Sequence, residues 1–329
     1  MGFIRHIPVL SDRFTTGIII SVLLGLLLPC TGSMAGGFGL LTDAAIFLLF
    51  FLYGAKLSRK SVLEGLLNWR LQSMVFFFTF IFFPLVIPLM RPLFEPLVGA
   101  SLYLGLLYVA CLPSTVQSSI AFTSVAAGNV PAAVCSASVS SLLGVFLTPM
   151  LVSLLFRTEA TADAAIGLMT IAKISYQILL PFLLGQFTQR WLRRWVHRHQ
   201  ELIRWNDQGT IWLVVYTSFS GATAQGYWSQ LSATHLGGLV FACLLLLSIV
   251  HACTYFSSKL LGFSREDCIT IVFCGSKKSL AVGAPMMMAI FGEESNNLLL
   301  PLMIFHQVQL MTCAHLAKLW KPKKTASTF

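Results

Sequence analysis

Residues 269–285 read ITIVFCGSKKSLAVGAP and hold two adjacent lysines, Lys277 and Lys278, within an apolar stretch. A charged side chain near the centre of a membrane helix costs roughly 2.5–3.5 kcal/mol on insertion scales. Two in succession are tolerated only where they face protein, water or a ligand. Two glycines and a proline interrupt the same stretch, and both residue types weaken a helix. We therefore expect an unwound membrane helix here, at the functional centre of a transporter.

The composition is that of a polytopic membrane protein. Of the 329 residues, 56% are hydrophobic and only 10% are charged, whereas about a quarter of a soluble domain is charged. The net charge of +10 comes from Lys and Arg in short segments between apolar spans, so we do not expect a nucleic-acid partner. The eight cysteines form no CxxC pair and are typical of small packing residues.

Ten apolar spans are predicted from segments of roughly 17–25 residues. They cover residues 14–30, 43–57, 71–90, 102–127, 130–156, 166–187, 209–227, 236–258, 269–291 and 297–316. The first span is expected to be retained rather than cleaved as a signal peptide, and TGSMAGGFG after it to be a flexible loop. Basic residues concentrate at both ends of the chain and after spans two, six and eight. This predicts a multi-pass inner-membrane protein with both termini in the cytoplasm.

The spans divide near Glu159 into two halves of five, residues 14–156 and 166–316. In each half the fourth span is interrupted by Pro, Gly and polar residues. An odd number of spans per half gives the halves opposite orientations. We therefore predict an all-α membrane protein built from two inverted five-helix repeats, with a substrate site near the midplane.

Polar residues near the two breaks are the candidate substrate and ion ligands. They are Gln117, Ser118, Ser119, Asn129, Ser140, Ser141, Ser276, Lys277, Lys278, Ser279, His306 and Gln307. Each has a structural alternative. Hydroxyls can repair a helix kink, small residues on span five can serve close helix packing, and His306 can be a hydrogen-bonded packing residue. Lysines can also anchor a shorter helix at the membrane surface.

Motifs for enzymatic chemistry are absent from the sequence. It contains no P-loop, GxGxxG, HExxH or GxSxG, no metal-ligand cluster, and no Asp or Glu in the middle of a span. We therefore predict that the protein is not an enzyme and uses no cofactor, apart from Na⁺ if that ion is coupled to transport.

Four strings resemble the bile acid:sodium symporter superfamily. They are CLPSTVQSSIAFTSVAAGNV, VCSASVSSLLG, TIVFCGSKKSLA and LPLMIFHQ. The chain is most similar to the SBF-like bacterial branch, which is related to the orphan seventh member of human solute carrier family 10. The resemblance implies a core of residues 71–156 and 236–316 and a panel of residues 14–57 and 166–227. A substrate crevice would lie between core and panel, with two sodium sites behind the crossing of spans four and nine.

The expected sodium ligands are only partly present. Aligned with sodium-coupled members, Phe273 falls where they carry a glutamate, and Lys277 and Lys278 fall on a Gln-Asn pair. Thr79 replaces a glutamine ligand on span three. We hypothesise that the Lys277 ammonium takes the place of a sodium ion and tethers spans four, five and nine; its alternative role is to attract an anionic substrate.

Other positions do match sodium-coupled members. Asn129 corresponds to a sodium ligand, and Ser140 and Ser141 lie in the matching string of span five. Na⁺ is therefore the coupling ion that the resemblance implies, but loss of the glutamate and gain of the lysines argue for weak or absent coupling at these sites.

The sequence as a whole predicts secondary transport of a small organic, anionic solute by alternating access. Proton coupling through His306 or a lysine, uncoupled transport, and a non-transporting regulatory protein of the same fold are the alternatives. The partners expected are the solute and the lipid bilayer, and the sequence leaves open whether the protein forms a homodimer.

Overall fold

The structure, a computed structural model, describes residues 13–56, 68–159, 168–292 and 298–321. These ranges contain helices and no strand. The α-helices are α1 (Arg13–Leu27), α2 (Ser33–Lys56), α3 (Trp69–Leu89), α4 (Arg91–Val98), α5 (Ala100–Ala110), α6 (Gln117–Val125), α7 (Val130–Glu159), α8 (Leu168–Arg198), α9 (Gln200–Ala224), α10 (Ala233–Leu260), α11 (Arg265–Gly275), α12 (Leu280–Phe291) and α13 (Leu299–Trp320). Helix α3 contains one π-helical turn, Phe78–Phe82, and a short 3₁₀ helix, Tyr227–Gln230, follows α9.

Within the described ranges, five helices are long and apolar enough to cross a membrane. They are α2, α3, α7, α10 and α13. Many of their large apolar side chains are exposed, among them Leu85 on α3 and Met150 on α7. A multi-pass membrane protein follows, because such a surface is compatible with lipid and not with water.

The interruptions predicted in spans four and nine are both present. Helices α5 and α6 are separated by residues 111–116, and α11 and α12 by residues 276–279. We refer to these segments as the first break and the second break. Neither is helical, so the Gly, Pro and polar residues near them do end helices in an apolar setting.

Other predicted boundaries need correction. The loop expected at residues 31–39 was wrong, because α2 begins at Ser33 and runs through its glycines. Glycine weakens a helix by only about 1 kcal/mol, which is less than the cost of exposing unpaired backbone groups to lipid. Helices α8 and α9 also extend well beyond their predicted spans. Residues 57, 166, 167 and 297, at the ends of predicted spans, lie outside the described ranges.

The helices pack in two groups. Helices α1, α2, α8 and α9 contact one another, and α3–α7 with α10–α13 form the second group. The groups meet where α12 packs against α2, α8 and α9, and where α7 packs against α8. The second break is therefore followed directly by the helix that joins the two groups.

Candidate functional site at two helix breaks in contact

The two breaks contact each other through hydrogen bonds to their backbones. The Ser279 amide N–H donates a hydrogen bond to the carbonyl of Pro113 at 2.9 Å. The Ser114 hydroxyl donates to the Cys274 carbonyl at 2.6 Å, and the Ser119 hydroxyl to the Phe273 carbonyl at 3.2 Å. Each helix end thus satisfies orphan backbone groups of the other, which a break inside a membrane requires.

Lys278 binds three backbone carbonyls. Its ammonium donates to the carbonyl oxygens of Thr79 at 2.6 Å, Ala110 at 2.7 Å and Leu112 at 2.8 Å. The side chain is fully buried, and its nitrogen lies 4.3 Å from the centre of the Phe83 ring. An ammonium has three donors, and all three are used here. Lys278 therefore connects the second break to α3 and to the end of α5.

The Thr79 carbonyl is available because of the π-helical turn. The Phe83 N–H bonds to the carbonyl of Phe78 and so skips Thr79. In the π register the next donor, for Thr79, would be residue 84, but Pro84 has no N–H. Proline in α3 thus creates an orphan acceptor on the face that meets Lys278.

The carbonyls at the end of α5 are orphans for a different reason, since the helix stops there. Those of Ala110 and Leu112 accept from Lys278, that of Cys111 accepts from the Thr148 hydroxyl at 2.8 Å, and that of Pro113 accepts from Ser279. Every carbonyl from residue 110 to 113 therefore has a partner from another part of the chain.

Gln309 on α13 holds the backbone of Lys278. Its side-chain carbonyl accepts from the Lys278 N–H at 2.9 Å, and its amide donates to the Lys278 carbonyl at 2.8 Å. His306 lies one turn earlier, with its Nδ1 2.9 Å from the Gln309 amide nitrogen. The sequence predicted His306 and Gln307 as candidate ligands. Gln307 is only partly buried, and the residue that contacts the break is Gln309, three positions from His306 and on the same helix face.

Lys277 has different surroundings from Lys278. Its side chain is fully buried, and within the described ranges its nitrogen has no hydrogen-bond partner. It lies 3.9 Å from the ring centre of Phe122 and 5.7 Å from that of Phe273. Among the described residues, Lys277 forms no ion pair with a carboxylate.

The two lysines therefore have separate roles. The tether between helices that we predicted for Lys277 was wrong, because the carbonyl contacts are made by Lys278. Lys277 contacts aromatic rings instead.

The remaining candidates mainly cap helix ends. The Ser276 hydroxyl donates to the Val272 carbonyl, and the Ser279 hydroxyl accepts from the Val282 N–H at the start of α12. The Ser118 hydroxyl donates to that of Thr115, while Gln117 is exposed at the start of α6.

The three expected sodium ligands differ in their contacts. The Asn129 side chain accepts from the Ala132 N–H at 3.0 Å and donates to Asp267 at 2.8 Å, linking α7 to α11. The Ser140 hydroxyl accepts from the Ser114 N–H at 2.9 Å in the first break. The Ser141 hydroxyl is buried and has no hydrogen-bond partner among the described residues.

Residues 12–322 match the model of the SBF-like CPA transporter family. The chain belongs to this family. The bile acid:sodium symporter resemblance inferred from the sequence is thereby confirmed, and membership of a transporter family argues against an enzyme.

Three relatives match nearly the whole chain. An uncharacterized protein of Pseudomonas aeruginosa is 51% identical over 310 residues, covering 94% of this chain and 92% of that protein. The protein named "Putative symporter YfeH" of Escherichia coli is 46% identical over 311 residues, covering 94% and 93%. Sodium/bile acid cotransporter 7-B of Xenopus laevis is 27% identical over 319 residues, covering 94% and 91%.

Proposed function

We propose that the protein is a secondary transporter that moves a small organic anion across the cell inner membrane by alternating access. In this proposal the chain crosses the membrane ten times, with both termini in the cytoplasm, and its inverted repeats are residues 14–156 and 166–316. Support comes from the two breaks, which fall at matching positions of the halves and pair with each other. Crossed broken helices of this kind hold substrate and ion sites in transporters.

The packing of the helices supports a division into core and panel. The group α1, α2, α8 and α9 corresponds to the panel, residues 14–57 and 166–227. The group α3–α7 with α10–α13 corresponds to the core, residues 71–156 and 236–316. Since α12 contacts both groups and starts at the second break, rocking of the core would change the surroundings of the break on either side.

An anionic solute fits the charges around the breaks. Two lysines lie at the second break, and within the described ranges no carboxylate belongs to either break. Helices α6 and α12 also begin there, and the N-terminus of a helix carries a partial positive charge. These features together attract an anion.

Lys278 is the observation that carries the proposal on coupling. Three backbone carbonyls converging on one positive charge resemble the oxygen environment of a monovalent cation, and here the cation is part of the chain. A sodium ion does not fit beside a buried ammonium, because like charges repel strongly in an apolar interior. We therefore propose that Lys278 permanently replaces one coupling ion. Since the expected sodium ligands Asn129 and Ser140 already bond to other protein groups, we further propose that transport does not require Na⁺.

An uptake assay in proteoliposomes tests both the transport of an organic anion and its independence from Na⁺. The assay uses a pooled set of labelled organic anions, with and without a Na⁺ gradient. Uptake that is equal under the two conditions supports the proposal. Uptake that requires Na⁺ would overturn the role of Lys278 and leave the transporter function intact. Absence of uptake for every anion tested would favour a non-transporting regulatory protein of the same fold.

Proton coupling is a second candidate, favoured by the surroundings of Lys277. Burying an ammonium without an acceptor carries an effective cost of several kcal/mol, and an aromatic face returns only about 2 kcal/mol. A Lys277 that loses its proton when the core is closed and regains it when the site opens to water would couple proton movement to transport. This candidate would be supported if a pH gradient drives uptake by the parent protein and has no effect on uptake by Lys277→Met. Uptake with no response to pH in the parent protein would exclude it.

A further inference from the structure

In the ten-span topology proposed above, helix α8 crosses the membrane and is longer than this crossing requires. Its 31 residues, Leu168–Arg198, give a length of about 46 Å at 1.5 Å per residue. The hydrocarbon layer of a bilayer is about 30 Å thick. About three turns therefore continue beyond it, and we refer to residues 187–198 as the α8 extension.

One side of the α8 extension carries a row of aromatic side chains. Phe187, Trp191 and Trp195 follow each other at intervals of four residues and are 74%, 68% and 41% exposed. Residues four apart lie on the same face of a helix. Exposed Trp in a membrane protein is typical of the layer between hydrocarbon and water.

A second row, of arginines, lies beside the first. Arg190, Arg194 and Arg198 also follow at intervals of four, and all three are exposed. Within the described ranges none of them forms an ion pair, and nearby Glu201 is paired with Arg204 at 3.3 Å. The row therefore presents three uncompensated positive charges next to the aromatic row.

Packing on the opposite side orients both rows outward. Val196 is buried and Leu192 half-buried, and they pack in a cluster with Leu52 and Ala55 of α2 and Ile203 of α9. The α8 extension is thus attached to α2 and α9 along its inner face. This contact fixes the orientation of the helix, so that the aromatic and arginine rows lie on its outer face.

Guanidinium groups bind phosphate through paired N–H donors, and tryptophan rings insert at the level of lipid headgroups. A phospholipid that carries a net negative charge satisfies both rows at once: its phosphate meets the arginines while its glycerol and upper chains meet the aromatic rings. A nucleic acid or an acidic protein would use the arginines but would leave the aromatic row at the membrane boundary unused.

We propose that the α8 extension is a binding site for the headgroups of anionic phospholipids in the leaflet at the basic side of the protein. Helix α8 is firmly joined to α2, because Gly54 and Gly185 each approach the backbone of the other helix and the Gln186 amide donates to the Gly54 carbonyl at 2.6 Å. A bound lipid therefore stabilises the α2–α8 pair as a unit. The site does not depend on the proposed transport activity.

Thermal unfolding of the purified full-length protein in detergent tests the site, with phosphatidylglycerol, phosphatidylcholine or inorganic phosphate added. We expect phosphatidylglycerol to raise Tm by about 3 °C or more, and phosphatidylcholine and inorganic phosphate to have much smaller effects. The variant Arg190→Gln/Arg194→Gln/Arg198→Gln should lose the increase. The matched control, Lys259→Gln/Lys318→Gln/Lys321→Gln, removes three exposed charges from α10 and the end of α13 and should keep it.

An equal increase in the arginine variant and the parent protein would overturn the proposal, as would an equal loss in the lysine control. An increase produced by inorganic phosphate alone would show a site for the free anion rather than for a lipid. If the triple arginine variant does not fold, Arg194→Gln at the centre of the row replaces it. In that single variant, the phosphatidylglycerol concentration needed to reach a given increase in Tm should be higher by about threefold or more.

Discussion

The ammonium nitrogen of Lys278 lies 2.6 Å from the carbonyl oxygen of Thr79, a residue 199 positions earlier in the chain. The contact depends on two local departures from regular helix, the second break on one side and the π-helical turn on the other. Each leaves backbone groups without their usual partners. Joined by one charged side chain, the two irregularities stabilise each other.

Replacing Lys278 with Met should strongly destabilise the fold. The three carbonyls that it binds would stay buried, and each unsatisfied group costs about 1–3 kcal/mol. We expect Tm to fall by about 6 °C or more. Lys277→Met is the matched control: it removes a neighbouring buried charge that donates to no carbonyl in the described ranges, so it should keep Tm unchanged or raise it. Equal losses in the two variants would contradict the separate roles of the lysines.

Small cations should restore a variant that lacks the side chain altogether. Lys278→Ala leaves space beside three oxygens, and an ammonium ion carries the same donors as the lost group. Ammonium chloride should therefore raise the Tm of Lys278→Ala above that of the same variant in tetramethylammonium chloride, which is too large to enter. Lys278→Met fills the space with an apolar chain and should show no such increase. A rescue by both salts, or of both variants, would count against a cation site.

Pro84→Ala should destabilise the protein, although proline normally weakens a helix by about 3 kcal/mol. Alanine supplies the N–H that proline lacks, and this donor would compete with Lys278 for the carbonyls of α3. Pro88→Ala, one turn later on the same helix, is the control and should be neutral or stabilising. Thermal unfolding of both variants checks the prediction, and a more stable Pro84→Ala protein would show that the π-helical turn is not needed.

Removing the amide of Gln309 should weaken the second break. Gln309→Leu keeps the volume but leaves the N–H and carbonyl of Lys278 without partners, at a cost of about 2–4 kcal/mol. Gln307→Leu, two positions earlier and only partly buried, should cost less than about 1 kcal/mol. Chemical or thermal unfolding of the two variants measures the difference. The same ranking should appear in transport, once a solute has been found by the uptake screen.

The two breaks were predictable because their cause is local. Gly275 and Pro113 lie at the ends of apolar segments that cannot continue as regular helix. The choice between Lys277 and Lys278 was not predictable in this way. Both lysines lie in the non-helical second break, where no helix periodicity fixes their directions, and which lysine meets an acceptor depends on the π-helical turn in α3. In the sequence, only Pro84 indicates that turn, and Pro84 alone does not predict which lysine the turn contacts.

The start of α2 and the choice of Gln309 show two further limits. Glycine-rich sequence at residues 31–39 suggested a loop, but an apolar setting favours continued hydrogen bonding of the backbone. Gln307 and Gln309 are equally polar, and only the helix phase relative to His306 separates them.

A cation that belongs to the chain cannot be released on either side of the membrane. The free energy of binding between Lys278 and its carbonyls is therefore the same at the start and at the end of each transport cycle. Because no ion enters on one side and leaves on the other at this site, an ion gradient cannot supply energy through it. An anion carried alone would then follow the membrane potential, which in a cell with a negative interior drives it outward with about 2.3 kcal/mol per charge for each 100 mV. If no other ion is coupled, the membrane potential would favour export of the anion over its uptake in a transporter built in this way.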